Sequence, residues 1–182
     1  MIINAPNAFA RFISNIVTGN KRRRVVMTPF AALIFFGFIT LFIFAGLSVD
    51  KWLALPSLAG WWKYIVSSIL FFLGLLVAGC SLLQFAQVRG SPVPLSPPPK
   101  LITSGIYSYV RNPMISGGLL LLEGLGFLLG SLSVIIVFAP LPVLLYAIFI
   151  ITIEERELAI RFGEEYREYM KKVPRFIPRL RR

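Results

Sequence analysis

Two polar clusters interrupt an otherwise apolar chain. The first closes the segment 89–114, RGSPVPLSPPPKLITSGIYSYVRNPM, and contributes Gly105, Tyr107, Tyr109, Arg111, Asn112 and Pro113. The second, Glu154-Glu155-Arg156-Glu157, follows the last apolar stretch. By residue type they offer a guanidinium for a carboxylate, carboxylates for an ammonium or a diol, and aromatic faces for a flat ring or a soft cation. A further carboxylate, Glu123, stands alone in LLLLEGLGFLL. A carboxylate inside a membrane span is costly and is by default a functional-site hypothesis. The competing reading is a protonated or cross-bonded structural glutamate, with Ser67, Ser68, Ser81 and Gln84 as candidate partners. The chain has no histidine and one cysteine, Cys80. That excludes a histidine base, a haem-ligating histidine, an ordinary zinc site and an intrachain disulfide. No metal is expected.

These residues need elements that hold them. The chain of 182 residues is 57% hydrophobic, with a mean hydropathy of +0.77; soluble domains are about 45–50% apolar. An all-α membrane protein of one domain is expected. Four spanning helices are read at 27–49, 62–83, 113–130 and 131–153, since about 20 apolar residues cross a bilayer. Thr28 and Pro29 read as the start of the first span, and Asn112 and Pro113 as the start of the third. Gly130-Ser131 leaves almost no loop, which predicts a tight hairpin. Gly126 and Gly130 form a G-x-x-x-G pair suited to close helix packing, and Pro140 and Pro142 predict a bend in the fourth span.

Residues 1–26 read as an interfacial segment, with Phe9, Phe12, Ile13, Ile16 and Val17 at helical spacing. Residues 154–182 read as a cytoplasmic tail whose helix, 154–172, carries Glu157/Arg161 and Glu168/Lys172 pairs and stops at Val173-Pro174. The basic run Lys21-Arg22-Arg23-Arg24 lies too far in for a secretory leader, and no cleavage site follows, so the apolar segments are expected to be permanent. With four spans, nearly all basic residues fall on one side, which places both termini in the cytoplasm. The net charge of +11 clusters beside the spans. It therefore reads as topology and contact with anionic lipid rather than nucleic-acid binding.

Each site residue also has a plain reading. Asn112-Pro113 is a good helix start, Arg111 a positive-inside anchor, Tyr107 and Tyr109 interface-belt residues, and Glu154 and Glu155 a solvated helix face. The functional reading is that the two clusters together match S-adenosylmethionine, which presents a carboxylate, an ammonium, a diol, an adenine ring and a sulfonium. NADPH would accept the arginine equally.

The runs GSPVPLSPPPKLITSGIYSYVRNPM and EERELAIRFGEEYREYMKKVPRFIPR resemble the motif-bearing segments of the small integral-membrane methyltransferases, the isoprenylcysteine carboxyl methyltransferase and phospholipid methyltransferase group. The resemblance covers 89–179, about half the chain. It implies an S-adenosylmethionine site built from Gly105, Tyr107, Arg111, Asn112, Pro113, Glu154 and Glu155; Arg111 and the lone Glu123 are read as the candidate catalytic residues. The acceptor it implies is lipophilic or membrane-embedded. Asn112 stands where many isoprenylcysteine enzymes have histidine, and Ile115 where a tyrosine often follows, which leaves the acceptor open between a carboxylate and a lipid headgroup. Two alternatives are a sterol-type NADPH-dependent membrane reductase and a small transporter working through Glu123. The long motif-bearing loop and the place of Glu123 in the third span count against the transporter.

Overall fold

All regular structure among the described residues is helical, in the order of the apolar segments. The computed structural model describes residues 21–88 and 98–178. The interfacial helix expected before residue 21, the proline-rich stretch 89–97 and the last four residues lie outside the described residues. Helix α1 is Lys21–Trp52, α2 is Trp62–Gln87 and α3 is Pro113–Leu129. A fourth helical run, Val134–Phe162, follows. It comprises a π turn at Val134–Phe138, α4 at Pro140–Phe149, a second π turn at Ile150–Glu154 and α5 at Glu155–Phe162. Helix α6 is Glu164–Lys172.

Leu33–Trp52, Trp62–Gln87 and Val134–Phe162 are long and apolar enough to cross a membrane. Helix α3 is apolar but has 17 residues, about 25 Å at 1.5 Å per residue against about 30 Å of hydrocarbon. Large side chains such as Phe36, Phe44, Phe72 and Leu75 remain exposed along α1 and α2. Facing lipid tails, such side chains need no protein partner. The protein is a membrane protein.

Helix boundaries differ from the sequence expectation in several places. Helix α1 already includes Lys21, so Thr28 is not its cap and Pro29 lies inside it. Lysine and arginine are good helix formers and carry the helix upstream, while Pro29 forfeits a single backbone donor. The fourth run continues unbroken past Ile153 into the expected tail helix 154–172. It breaks only at Gly163, whose φ of 57° and ψ of −127° are open to glycine alone. Helix α6 then ends at Lys172, with Val173 extended before Pro174, as read from the sequence. Beside Pro140 the register widens: Ala139 N–H donates to the Val134 carbonyl at 2.7 Å, a π-type bond placed where the ring of Pro140 would crowd an α turn.

Close packing is concentrated between α2 and α3. A Cβ on Gly117 would lie 3.1 Å from the Ala78 nitrogen, and one on Gly74 would lie 3.0 Å from the Gly117 carbonyl. Ser67 Oγ donates to the Gly124 carbonyl at 2.8 Å, so small residues let the two backbones touch. Of the G-x-x-x-G pair, Gly126 packs against Ile135, where a Cβ would approach to 2.7 Å. Gly130 instead forms the hairpin turn and accepts from Leu58 N–H at 2.9 Å. At that end Asp50 of α1 accepts from the Ser131 hydroxyl and, at 2.9 Å, from Ser133 N–H. The polar clusters gather at the opposite end of the bundle.

Candidate functional site

The last turns of the fourth run meet the start of α3 and the tail. Glu155 lies at this junction with its side chain only 8% exposed. It accepts from Arg111 Nη1 at 2.7 Å, from Arg175 Nε at 3.0 Å and from Arg175 Nη2 at 3.1 Å. The backbone repeats the join: Arg111 N–H donates to the Pro174 carbonyl at 2.8 Å and Asn112 N–H to that of Arg175 at 3.0 Å. Ser116 Oγ donates to the Phe176 carbonyl at 3.1 Å. Asn112 therefore does not cap α3 with its side chain, which instead donates to the Arg175 carbonyl at 3.4 Å. Proximity of the tail backbone has taken the place of the cap, while Pro113 opens the helix.

Glu154 is turned to another face. Successive helical residues are about 100° apart, so i, i+3 and i+7 share a side. Glu154, Glu157 and Arg161 have that spacing; Glu155 and Ala159 do not. Arg161 Nε lies 3.5 Å from Glu157 Oε1, an ion pair too long for a good hydrogen bond. Arg161 Nε and Nη2, Glu157 Oε1, Glu154 Oε2 and Arg111 Nε are all sealed from solvent without a hydrogen-bond partner among the described residues. Each orphaned polar group of this kind costs about 1–3 kcal/mol. A ligand that carries both an ammonium and a carboxylate would satisfy them.

The loop is fixed beneath these charges. Gly105 opens a 3₁₀ turn, Gly105–Ser108, with φ of 58°, and a Cβ there would collide with Gln84. The left-handed φ favours glycine there. Tyr107 is buried, packs edge-on against Phe85 at 5.9 Å, and offers its carbonyl to the Tyr169 hydroxyl at 2.6 Å. Burial holds the phenols of Tyr107, Tyr166 and Tyr169 above their ordinary range, so all three stay neutral hydrogen-bonding groups. Hydrogen bonding to Glu155 keeps Arg175 firmly charged. Tyr166, Tyr169, Ala159 and Val173 form a buried apolar cluster flanked by Leu101, Leu158, Phe162 and Met170. This small core carries the polar groups above it.

Glu123 lies apart from all of this. It is ten residues along α3 from Pro113, about 15 Å away, and is half-buried. Three of its expected partners are engaged elsewhere: Ser67 with Gly124, Ser81 with the Val77 carbonyl, and Gln84 with Ser104. The structure thus brings Gly105, Tyr107, Arg111, Asn112, Pro113, Glu154 and Glu155 to one end and leaves Glu123 within the bundle.

Against known families, the model of the phospholipid methyltransferase family matches residues 62–165. The chain belongs to that family. Among curated proteins it is 40% identical over 80 residues to the protein-S-isoprenylcysteine O-methyltransferase of Schizosaccharomyces pombe, covering 43% of this chain and 33% of that one. It is 44% identical over 80 residues to the cobalt-zinc-cadmium resistance protein CzcN of Cupriavidus metallidurans, covering 44% of this chain and 36% of that one. The chain spans about a third of the length of the curated relatives it matches.

The family stretch takes in the loop, Glu123 and the Glu154–Arg161 face, and stops just short of Tyr166. Several residues of the site were not singled out from the sequence: Glu157 and Arg161 beyond their helical pairing, and Tyr166, Tyr169 and Arg175. The spacing Y-x-x-Y followed by V-P-R was visible. Nothing local, however, marks Arg175 as the second guanidinium on Glu155, because that contact closes over twenty residues of chain. Among the described residues no group of three metal-ligating side chains is present.

Proposed function

We propose that the protein is an S-adenosylmethionine-dependent methyltransferase whose acceptor is lipophilic or membrane-embedded, an isoprenylcysteine-like carboxylate or a lipid headgroup. One observation carries this reading: a sealed, incompletely partnered charge cluster at the end of an apolar bundle, in a chain of the phospholipid methyltransferase family. The cofactor supplies a methyl group on a sulfonium. It would be held by Gly105, Tyr107, Arg111, Asn112 and Pro113 on one side and by Glu154 on the other, with Glu155 acting through Arg111. Within this set Glu154 offers the open carboxylate, while Glu155 fixes Arg111 and the tail. The buried aromatic cluster excludes water, which favours a transfer in which opposite charges cancel, and rigid walls contribute by alignment. A carboxylate acceptor needs no general base, in keeping with a chain without histidine. In this reading Glu123, within the bundle, orients an acceptor that enters from the bilayer.

The same reading takes residues 1–182 as one domain with four spans, α3 being the short one, and both termini on the cytoplasmic side. The cofactor then enters from the cytoplasm. Calorimetry of the purified chain with S-adenosylmethionine, S-adenosylhomocysteine and NADPH side by side tests it. Binding of both adenosyl ligands and not of NADPH is expected. Binding of NADPH alone would replace the methyltransferase with a reductase.

A further inference from the structure

We infer that Arg161 and Glu157, with Glu154, form a recognition surface for a zwitterionic α-amino acid, and that the ligand group it takes is the amino-acid end of the methyl donor. This rests on the methyltransferase reading and adds residues which that reading does not use. The orphaned atoms decide the ligand chemistry. On an arginine, Nε and the Nη on its own side present two parallel N–H donors, the edge that grips a carboxylate in a bidentate pair. Arg161 Nε and Nη2 are those two donors, and both are sealed without a partner among the described residues. The guanidinium carbon lies 4.5 Å from the centre of the Phe162 ring, which restricts how its plane turns.

The carboxylates complete the match. Glu157 has a side chain 7% exposed, and its Oε1 faces Arg161 Nε at 3.5 Å without forming a hydrogen bond. Glu154 Oε2, one turn earlier on the same face, is equally unpartnered. Two carboxyl groups and one guanidinium share this face. An added ammonium between the glutamates and an added carboxylate on the arginine edge would replace one misaligned ion pair with two aligned ones. Charged groups need such partners when removed from water. Glu155 cannot share the task, because Arg111 and Arg175 already occupy both of its oxygens.

The test is calorimetry on the full chain with three ligands: S-adenosylhomocysteine, its decarboxylated analogue, and methylthioadenosine, which lacks the amino-acid end. The wild type should bind S-adenosylhomocysteine at least about tenfold more tightly than the decarboxylated analogue, the loss of one charge-assisted pair. Arg161→Gln should abolish that gap and leave methylthioadenosine unchanged, Arg161→Lys should restore part of it, and Glu157→Gln should weaken S-adenosylhomocysteine and its decarboxylated analogue, which both keep the ammonium, while leaving methylthioadenosine unchanged. Equal wild-type affinity for S-adenosylhomocysteine and its decarboxylated analogue overturns the inference. So does an unchanged gap in Arg161→Gln, or a parallel loss for all three ligands. If Arg161→Gln does not fold, the wild-type comparison decides alone. If no adenosyl ligand binds the wild type, the methyltransferase reading fails and this inference with it; if all three bind equally, only this inference fails.

Discussion

Removing the charge of Glu155 should cost stability rather than cofactor affinity. Its carboxylate accepts three hydrogen bonds, at 2.7, 3.0 and 3.1 Å, from two guanidinium groups. Glutamine in its place keeps one acceptor oxygen and turns an N–H₂ donor toward another donor. The two arginines differ in their access to water: the Arg111 side chain is 8% exposed and that of Arg175 is 36% exposed. Breaking a buried pair by removing one partner costs about 3–5 kcal/mol, whereas a pair that can rehydrate is worth about 0–1 kcal/mol. Glu155→Gln should therefore lose about 3 kcal/mol, mostly through Arg111, and Arg175→Gln about 1 kcal/mol. For a chain of this size that is roughly 6–12 °C in Tm for the first, read by circular dichroism of the detergent-purified protein. Arg111→Gln should be comparably destabilised, and the double variant should lose about 2 kcal/mol less than the two singles combined, since it strands no buried charge. Strict additivity would refute the lock. An unchanged Tm with loss of S-adenosylhomocysteine binding would show that Glu155 is a ligand contact and not a fastener.

The packing sets three other expected outcomes. Gly117→Ala pushes a Cβ to 3.1 Å from the Ala78 backbone and should cost about 1–3 kcal/mol, whereas Gly118→Ala enters open space and should be neutral or gain up to about 1 kcal/mol from helix propensity; equal Tm values would contradict the α2–α3 contact. Asp50→Ala removes the acceptor for Ser133 N–H and the Ser131 hydroxyl and should cost about 1–2 kcal/mol with ligand affinity intact, because it acts at the far end of the bundle. Burial raises the folded-state values of Tyr107, Tyr166 and Tyr169 above the ordinary 10.0. The unfolded chain then releases these protons first, so their contribution is full below about pH 10 and is lost as pH rises through the folded values. Tyr166→Phe should flatten the alkaline fall of Tm, and an unaltered slope would count against a buried phenol.

The bundle was legible because lipid imposes a crude length and composition rule that a single pass along the chain can read. The α2 start at Trp62, the α3 start at Pro113 and the stop at Val173-Pro174 follow from local residue types. The missed features are those set by tertiary contact. Asn112 has the side chain of a good cap, yet the carbonyl of Arg175 recruits it. The tail helix 154–172 reads as one piece in the sequence, but Gly163 breaks it in two. The π turns left no trace in a 3.6-residue pattern. At Ile150–Glu154 the Glu155 N–H reaches back to the Ile150 carbonyl, which shifts every later side chain round the axis. Which of two adjacent glutamates faces which arginine could not be read through that shift.

That register explains how one dipeptide does two jobs. Glu154 and Glu155 are chemically alike, and sequence offers no reason to treat them differently. The helix turns one toward Arg111 and Arg175, where its oxygens are fully used, and the other toward Glu157 and Arg161, where an oxygen is left over. The saturated glutamate ties the tail to the start of α3, supported by the Arg111–Pro174 and Asn112–Arg175 backbone bonds. Without that tie, the small apolar core of Ala159, Tyr166, Tyr169 and Val173 would have to hold the tail alone. The unsaturated face next to it can then keep orphaned charges out of water, because the neighbouring lock supports the strain of carrying them. The proposed ligand face needs such a neighbour, and here the two are consecutive residues of one helix.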